Sequence, residues 1–287
     1  MTKKNNLFIL IILSLFYLIN FSYAATSKSS IQIKGSDTMV NLGQGWAEEF
    51  SKKNPNINVA VTGGGSGTGI ASLINGTCDI AETSRSMKDK ETQLAQAKGI
   101  KPVEYIVALD GIAVVVNPNN PVKNLTLDQL RNIFMGTIKN WKEVGGENKK
   151  IVILSREVNS GTHVFFKEHV LRRGNEKGPE EFSPDALLMP SSQAIADEVA
   201  LNPNAVGYYG MGYISREQKL IAVAKDTKSN YIEPTITTIK NNSYPISRPL
   251  YMYTKGEPEG VIKQFMDYVY SPEGQKIVKD TDFVPVK

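Results

Sequence analysis

Ile31-Gln32-Ile33-Lys34-Gly35-Ser36-Asp37-Thr38 is an alternating apolar stretch running into a small polar turn. The alternation predicts a short strand over Ile31 to Lys34. Gly35 to Thr38 then turns the chain into a helix from about Met39 to Lys53. The unit recurs along the chain. Strand Asn56 to Val61 leads through Gly63-Gly64-Gly65-Ser66-Gly67-Thr68-Gly69 into a helix over Ile70 to Asn75, and Asp79 to Ala81 leads to Ser84-Arg85-Ser86. Strand Ile151 to Leu154 delivers Arg156 and Ser160-Gly161-Thr162 at the head of a helix from about His163 to Arg172. Strands alternating with helices imply an α/β architecture with parallel sheets.

Other elements fill in the frame. Glu104 to Ala108 and the apolar Ile112 to Asn117 read as two strands on either side of Asp110-Gly111. The continuous hydrophobicity of the second suggests burial on both sheet faces. Thr126 to Met135 has helical spacing with Thr126 or Asn124 as cap, Gln193 to Ala200 a helix, and Val206 to Tyr209 a strand. Towards the end, strands are expected near Tyr231 to Ile236 and Leu250 to Tyr253, followed by a helix from Gly260 to Tyr270 that carries on past Ser271-Pro272.

The 287-residue chain opens with Lys3 and Lys4, an apolar run from Leu7 to Phe21 and a small-x-small pattern at Ser22-Tyr23-Ala24. This predicts a secretory signal peptide over residues 1–24, the run being short for a spanning helix. Its removal takes away two lysines, so the net charge of +4 becomes +2. That balance argues against a nucleic-acid partner. The lone Cys78 excludes an intrachain disulfide and a multi-cysteine metal site, and His163 and His169 have no ligand set around them. Neither metal nor cofactor is expected.

The polar turns combine hydroxyls with glycines, and they sit where strands end and helices begin. Backbone amides in such turns form a concave oxyanion site, and ligands of open α/β sheets bind beyond the carboxyl ends of strands. Gly64 to Gly69 lacks the Lys-Ser/Thr pair of a nucleotide-binding P-loop, having Ile70-Ala71 instead. Ser66 fails the nucleophile-elbow pattern because Thr68 stands where it needs glycine. What remains is a set of neutral donors, Ser36, Thr38, Ser66, Ser84, Ser160 and Thr162, with Arg156 and Arg85 as candidate cations. Arginine's planar fork suits two oxygens of a tetrahedral anion. Asp37 and Asp110 would repel an anion unless it carries a proton. Phosphate does and sulfate does not, so an ionised acceptor left unpaired by sulfate would discriminate by roughly 1–3 kcal/mol.

Several long motifs, taken in order, resemble the periplasmic phosphate-binding proteins of the Pst ABC transporter. They are Gly35 to Thr38, Gly63 to Gly69, Thr83-Ser84-Arg85, Asp110 to Asn117, Ile133 to Gly136 with Asn140-Trp141, Arg156 to Thr162, Asn202 to Tyr213, and Tyr244 to Gly256 with Pro245-Ile246-Ser247-Arg248-Pro249. The resemblance spans essentially the whole mature chain. It implies a type II periplasmic-binding-protein fold, with two lobes joined by a two-strand hinge and closing on one phosphate. Lobe I would comprise 31–109 plus 246–287, lobe II 110–245, and the hinge would lie near Asp110 and Tyr244-Pro245.

The family's ligand positions fall on Ser36, Asp37, Thr38, Ser66, Arg156, Ser160, Gly161 and Thr162, with Ser84 and Arg85 beside them. In the best-known branch an aspartate accepts the phosphate proton where this chain has Ser84, which leaves Asp110 or Asp37 as acceptor. The implied protein is a periplasmic monomer and not an enzyme, serving a membrane permease and ATPase complex. Two alternatives remain open: a secreted phosphatase using Ser66 or Thr162, and a binder of sulfate, molybdate or tungstate.

Overall fold

The computed structural model describes residues 29–287, so the expected leader lies outside the described residues. Its first unit is β1 (Ser29–Gly35), a 3-10 turn (Asp37–Met39), α1 (Val40–Lys53), β2 (Ile57–Thr62), α2 (Ser66–Ile74), β3 (Ile80–Thr83) and α3 (Asp89–Ala97). β4 (Val103–Val116) then leads to β5 (Asn124–Thr126), α4 (Leu127–Phe134), β6 (Val152–Arg156), α5 (Gly161–Phe166) and β7 (Leu187–Met189). α6 (Ser192–Leu201), β8 (Ala205–Gly210), β9 (Lys219–Leu220), β10 (Ala222–Ala224), α7 (Ile236–Lys240), β11 (Ser247–Thr254), α8 (Gly260–Val269) and α9 (Pro272–Asp280) complete the chain. No helix among the described residues is long and apolar enough to cross a membrane.

The main sheet runs β2-β1-β3-β11-β4-β8-β6-β7. β1 pairs in parallel with β2 and β3, and β6 in parallel with β7 and β8, so each polar turn leaves the carboxyl end of a parallel strand as expected. Two antiparallel strands join these groups, which corrects the expectation of a parallel sheet. β11 lies between β3 and β4, and β4 pairs through Val103–Gly111 with β11 and through Ile112–Val116 with β8.

The two strands expected around Asp110-Gly111 are therefore one, fourteen residues long. Gly111 does not break it. A Cβ there would meet Ile239 Cδ1 at 2.5 Å, so the glycine admits α7 against the strand.

Two C-terminal expectations also change. Of Tyr231 to Ile236 only Ile232 bridges, to Val223, and Thr235 caps α7 through the Thr238 amide at 3.1 Å. The last helix is two: Ser271 Oγ accepts from the Gly274 amide at 3.1 Å and Pro272 opens α9, a cap and first-turn proline that start a helix afresh.

Large side chains bind these layers. Trp46 on α1 is fully buried and donates to the Gly274 carbonyl at 2.8 Å, while Phe50 meets Phe265 edge-on at 5.2 Å. Trp141 likewise donates to the Asn204 carbonyl at 3.0 Å. Each such residue contributes about 1.5–3 kcal/mol by burial.

Candidate functional site

Turns from four parts of the chain meet in one buried cluster. Ser36 Oγ donates to Ser84 Oγ at 2.9 Å, and Ser84 Oγ lies 3.2 Å from Ser66 Oγ. The Ser84 amide donates to Ser66 Oγ at 3.0 Å. Gly161 closes this group from the far side: a Cβ on it would come within 2.3 Å of Ser66 Oγ and 2.6 Å of Ser84 Oγ, so only glycine fits. Thr38 Oγ1 and Thr162 Oγ1 are 2.8 Å apart. Ser160 caps α5, accepting from the Thr162 and His163 amides at 3.2 and 3.4 Å.

Donors are available in this cluster. Asp37, Ser66 and Gly161 each open a helical element, where a first amide has no intrahelical acceptor. Arg156, whose side chain is 2% exposed, sends Nη1 to Asp37 Oδ2 at 3.0 Å and to Ser192 Oγ at 2.9 Å, and Nη2 to the Pro190 carbonyl at 3.0 Å. Its buried Nε has no hydrogen-bond partner among the described residues. A buried orphan donor of this kind is uncommon, is shared among the described residues by Arg85 Nε, and beside the hydroxyl cluster it suits a ligand.

The two aspartates behave differently. Asp110 is fully buried and its Oδ2 accepts from Arg248 Nε at 3.0 Å and Nη2 at 2.8 Å, with Oδ1 taken by the Met211 amide at 3.0 Å. Burial pushes the Asp110 carboxyl up, against the pull of Arg248 and of the Met211 and Gly111 amides. Asp37 is partly exposed. Its Oδ2 accepts from the Ser192 amide at 2.8 Å and Ser192 Oγ at 2.9 Å besides Arg156, while its Oδ1 has no partner among the described residues.

Arg85 lies at the edge of the cluster: its Nη2 would be 3.8 Å from a Cβ on Gly67, and its buried Nε has no hydrogen-bond partner among the described residues. Its guanidinium holds Glu91 through two bonds of 2.8 and 2.7 Å.

Arg248, in contrast, belongs there although the sequence reading placed no role on it. Its Nη2 donates to Thr162 Oγ1 at 2.9 Å and approaches Thr38 Oγ1 at 3.4 Å, while Nη1 donates to the Ser84 carbonyl at 2.8 Å. The available signal was an arginine flanked by Pro245-Ile246 and Pro249-Leu250 in a strand otherwise built for the core. Glu82 was also missed. Its carbonyl accepts from the Ser36 amide at 2.7 Å, and burial holds its carboxyl well above the usual range beside Gly43.

The opposing loops are clasped as well. Asn159 Nδ2 donates to the Gly64 carbonyl at 2.9 Å, and the Gly67 amide donates to the Asn159 carbonyl at 3.0 Å. Tyr213 donates to the Asp37 carbonyl at 2.8 Å. Nothing in this set is arranged for nucleophilic attack. His163 Nδ1 donates to the Arg156 carbonyl at 2.8 Å and lies 3.2 Å from Ser155 Oγ, while Thr162 is held by Thr38 and Arg248. No group of three or more metal-ligating side chains occurs among the described residues.

A cradle of helix N-termini and hydroxyls at the strand ends of a mixed α/β sheet defines a substrate-binding protein of the periplasmic type, and the comparisons agree. Residues 22–273 match the family described as PBP superfamily domain. The chain is 33% identical to the phosphate-binding protein PstS of Bacillus subtilis over 301 residues, covering 99% of this chain and 95% of that one. Two solved structures cover 90% of this chain and 100% of their own: one described as a phosphate ABC transporter substrate-binding protein with bound phosphate from Clostridium perfringens (33% identity, TM-score 0.81), and an ABC-type phosphate transport receptor from Vibrio cholerae (32%, TM-score 0.70). The chain belongs to the PBP superfamily, within the family of PstS phosphate-binding proteins.

Proposed function

We propose that this chain is an extracytoplasmic binding protein that captures inorganic phosphate in the cradle and delivers it to the permease and ATPase of an ABC importer, acting as a monomer without chemical turnover. The observation that carries the reading is the convergence of Ser36–Thr38, Ser66, Ser84 and Ser160–Thr162 on one buried point beside Arg156. The leader over residues 1–24 supplies the route out of the cytoplasm.

The electrostatics suit a dipole-held anion. Asp37 offsets Arg156 and Asp110 offsets Arg248, so the cradle has little net charge and its attraction rests on N–H and O–H groups. Asp37, whose Oδ1 has no partner among the described residues, is the group we assign to accept the phosphate proton, whereas both carboxylate oxygens of Asp110 are engaged. Arg85 stands outside this ligand set.

On this reading the lobes are 31–109 plus 246–287 and 110–245, hinged where β4 and β11 cross. The Thr38–Thr162, Asp37–Arg156 and Asn159–Gly64 contacts then run between lobes, and ligand favours this closed arrangement by bridging them. Equilibrium binding of labelled phosphate to the mature chain, with sulfate as competitor, tests the proposal. Saturable binding that equimolar sulfate leaves in place is expected, and no phosphate binding would overturn it.

A further inference from the structure

The helix that presents Ser160-Gly161-Thr162 touches β11 and the segment leading into it at three successive levels. At its start, Thr162 Oγ1 accepts from Arg248 Nη2 at 2.9 Å. One turn on, the Phe165 ring lies under the same guanidinium, 5.5 Å from centroid to Cζ. α5 then widens into a π-helical turn, Lys167–Leu171, the only one among the described residues. On that turn His169 stacks on Phe165 with centroids 5.1 Å apart and planes 10° apart. His169 Nε2 lies 2.8 Å from the Pro245 carbonyl, which can only accept, so Nε2 carries the proton. Pro245 and Arg248 are three residues apart, and the contacts close a ring: Pro245 to His169, to Phe165, to Arg248, and back along the chain.

Histidine meets two demands here at once. A planar ring is needed to stack on Phe165, and an N–H on that ring's edge is needed to reach a carbonyl. Phenylalanine would satisfy only the first and glutamine only the second. π-helical turns carry an unpaired backbone step and are found disproportionately at functional sites.

We propose that His169, through Phe165, is a positioning residue for Arg248, holding the guanidinium where it can bond Thr162 and Thr38 and locking α5 to the crossing strand at the hinge. His169 does not touch the ligand. It couples the angle of β11 at Pro245 to the placement of the cradle's third turn, so that the geometry formed on closure persists. Because the anion in the cradle is taken to be phosphate, the inference rests on the functional reading above.

The test is phosphate binding and dissociation kinetics on the full mature chain, together with thermal melting without ligand. The variants are His169→Ala, His169→Gln, Phe165→Leu and the Phe165→Leu/His169→Ala double. A cation–π contact and a hydrogen bond of ordinary strength set the expected loss at roughly five- to tenfold in affinity, carried mainly by faster dissociation. His169→Gln, which keeps a donor for Pro245, should recover part of that loss. The double variant should lose little more than either single one, because all act through Arg248. Variants that melt cooperatively and bind phosphate within about twofold of the parent chain would overturn the inference and leave the phosphate reading intact, as would additive losses in the double variant. Failure of the parent chain itself to bind phosphate would overturn both.

Discussion

Asp110 and Arg248 face each other as register partners on β4 and β11, the two strands that join the halves of the sheet, and both side chains are buried. Their pairing reaches the cradle, because Arg248 extends past Asp110 to Thr162 and Thr38. A buried pair of this kind adds little net stability compared with apolar packing, but removing one partner strands the other charge. The arrangement ties the crossing point of the chain to the ligand site through a single guanidinium.

Asp110→Asn should therefore act on both. Arg248 would keep one acceptor in place of an ionised one, and stability should fall by about 3–5 kcal/mol, read from denaturant melts of the ligand-free protein. Phosphate binding should weaken as Arg248 relaxes. If the melt is unchanged, Arg248 does not depend on the ionised Asp110 for its burial.

Asp37→Asn separates the two candidate acceptors. If Asp37 Oδ1 takes the phosphate proton, the amide, which can turn its NH2 toward an oxyanion, should weaken phosphate and help sulfate. The phosphate-to-sulfate affinity ratio should drop about tenfold or more, an effect on the order of 1–3 kcal/mol. Competition titrations with both anions measure it. An unchanged ratio would return the acceptor role to another group.

The local units of the fold were legible because each rests on a local rule. Alternation marks β1 and β2, glycine and hydroxyl turns mark the strand ends, and Thr126 caps α4 through the Gln129 amide at 3.2 Å as its position suggests. What escaped was long-range. Nothing near Asp110-Gly111 says that the strand continues, since its continuity depends on Ile239 and on Arg248, both more than a hundred residues away. Arg85 and Arg156 looked alike as cations after a strand. Glu91, six residues beyond Arg85, engages one, while Asp37 and Ser192 draw the other into the cradle.

Asn159→Ala addresses the clasp between loops. The substitution removes the side-chain bond to the Gly64 carbonyl at 2.9 Å and the longer one to Thr68 Oγ1 at 3.4 Å, but keeps the carbonyl that receives the Gly67 amide. Losing the shorter bond costs about 0.5–1.5 kcal/mol, which is roughly two- to tenfold in affinity, and the 3.4 Å bond adds little to that. The change should appear as faster phosphate release with association nearly unchanged, because the contact forms only after the loops meet. Stopped-flow measurement of both rates decides the point. A slower association with unchanged release would show that Asn159 guides capture instead.

His163 should make the fold sensitive to acid. Burial lowers its imidazole from 6.5 to about 4, with Lys167 acting in the same direction, and its Nδ1 donates to the Arg156 carbonyl. The unfolded chain therefore binds a proton at this position that the folded chain refuses. Between the two values the unfolded state holds more protons, so stability rises with pH across that window. The contribution is complete above about 6.5 and is lost as pH falls towards about 4, a change on the order of 3 kcal/mol. In His163→Asn the amide can still donate to the Arg156 carbonyl, but nothing remains to titrate. That variant should be less stable at pH 8, having lost the ring that lies 4.5 Å from Phe182, yet its melting temperature should fall less steeply from pH 6.5 to 4. Parallel slopes for the two proteins would place the acid sensitivity in other groups.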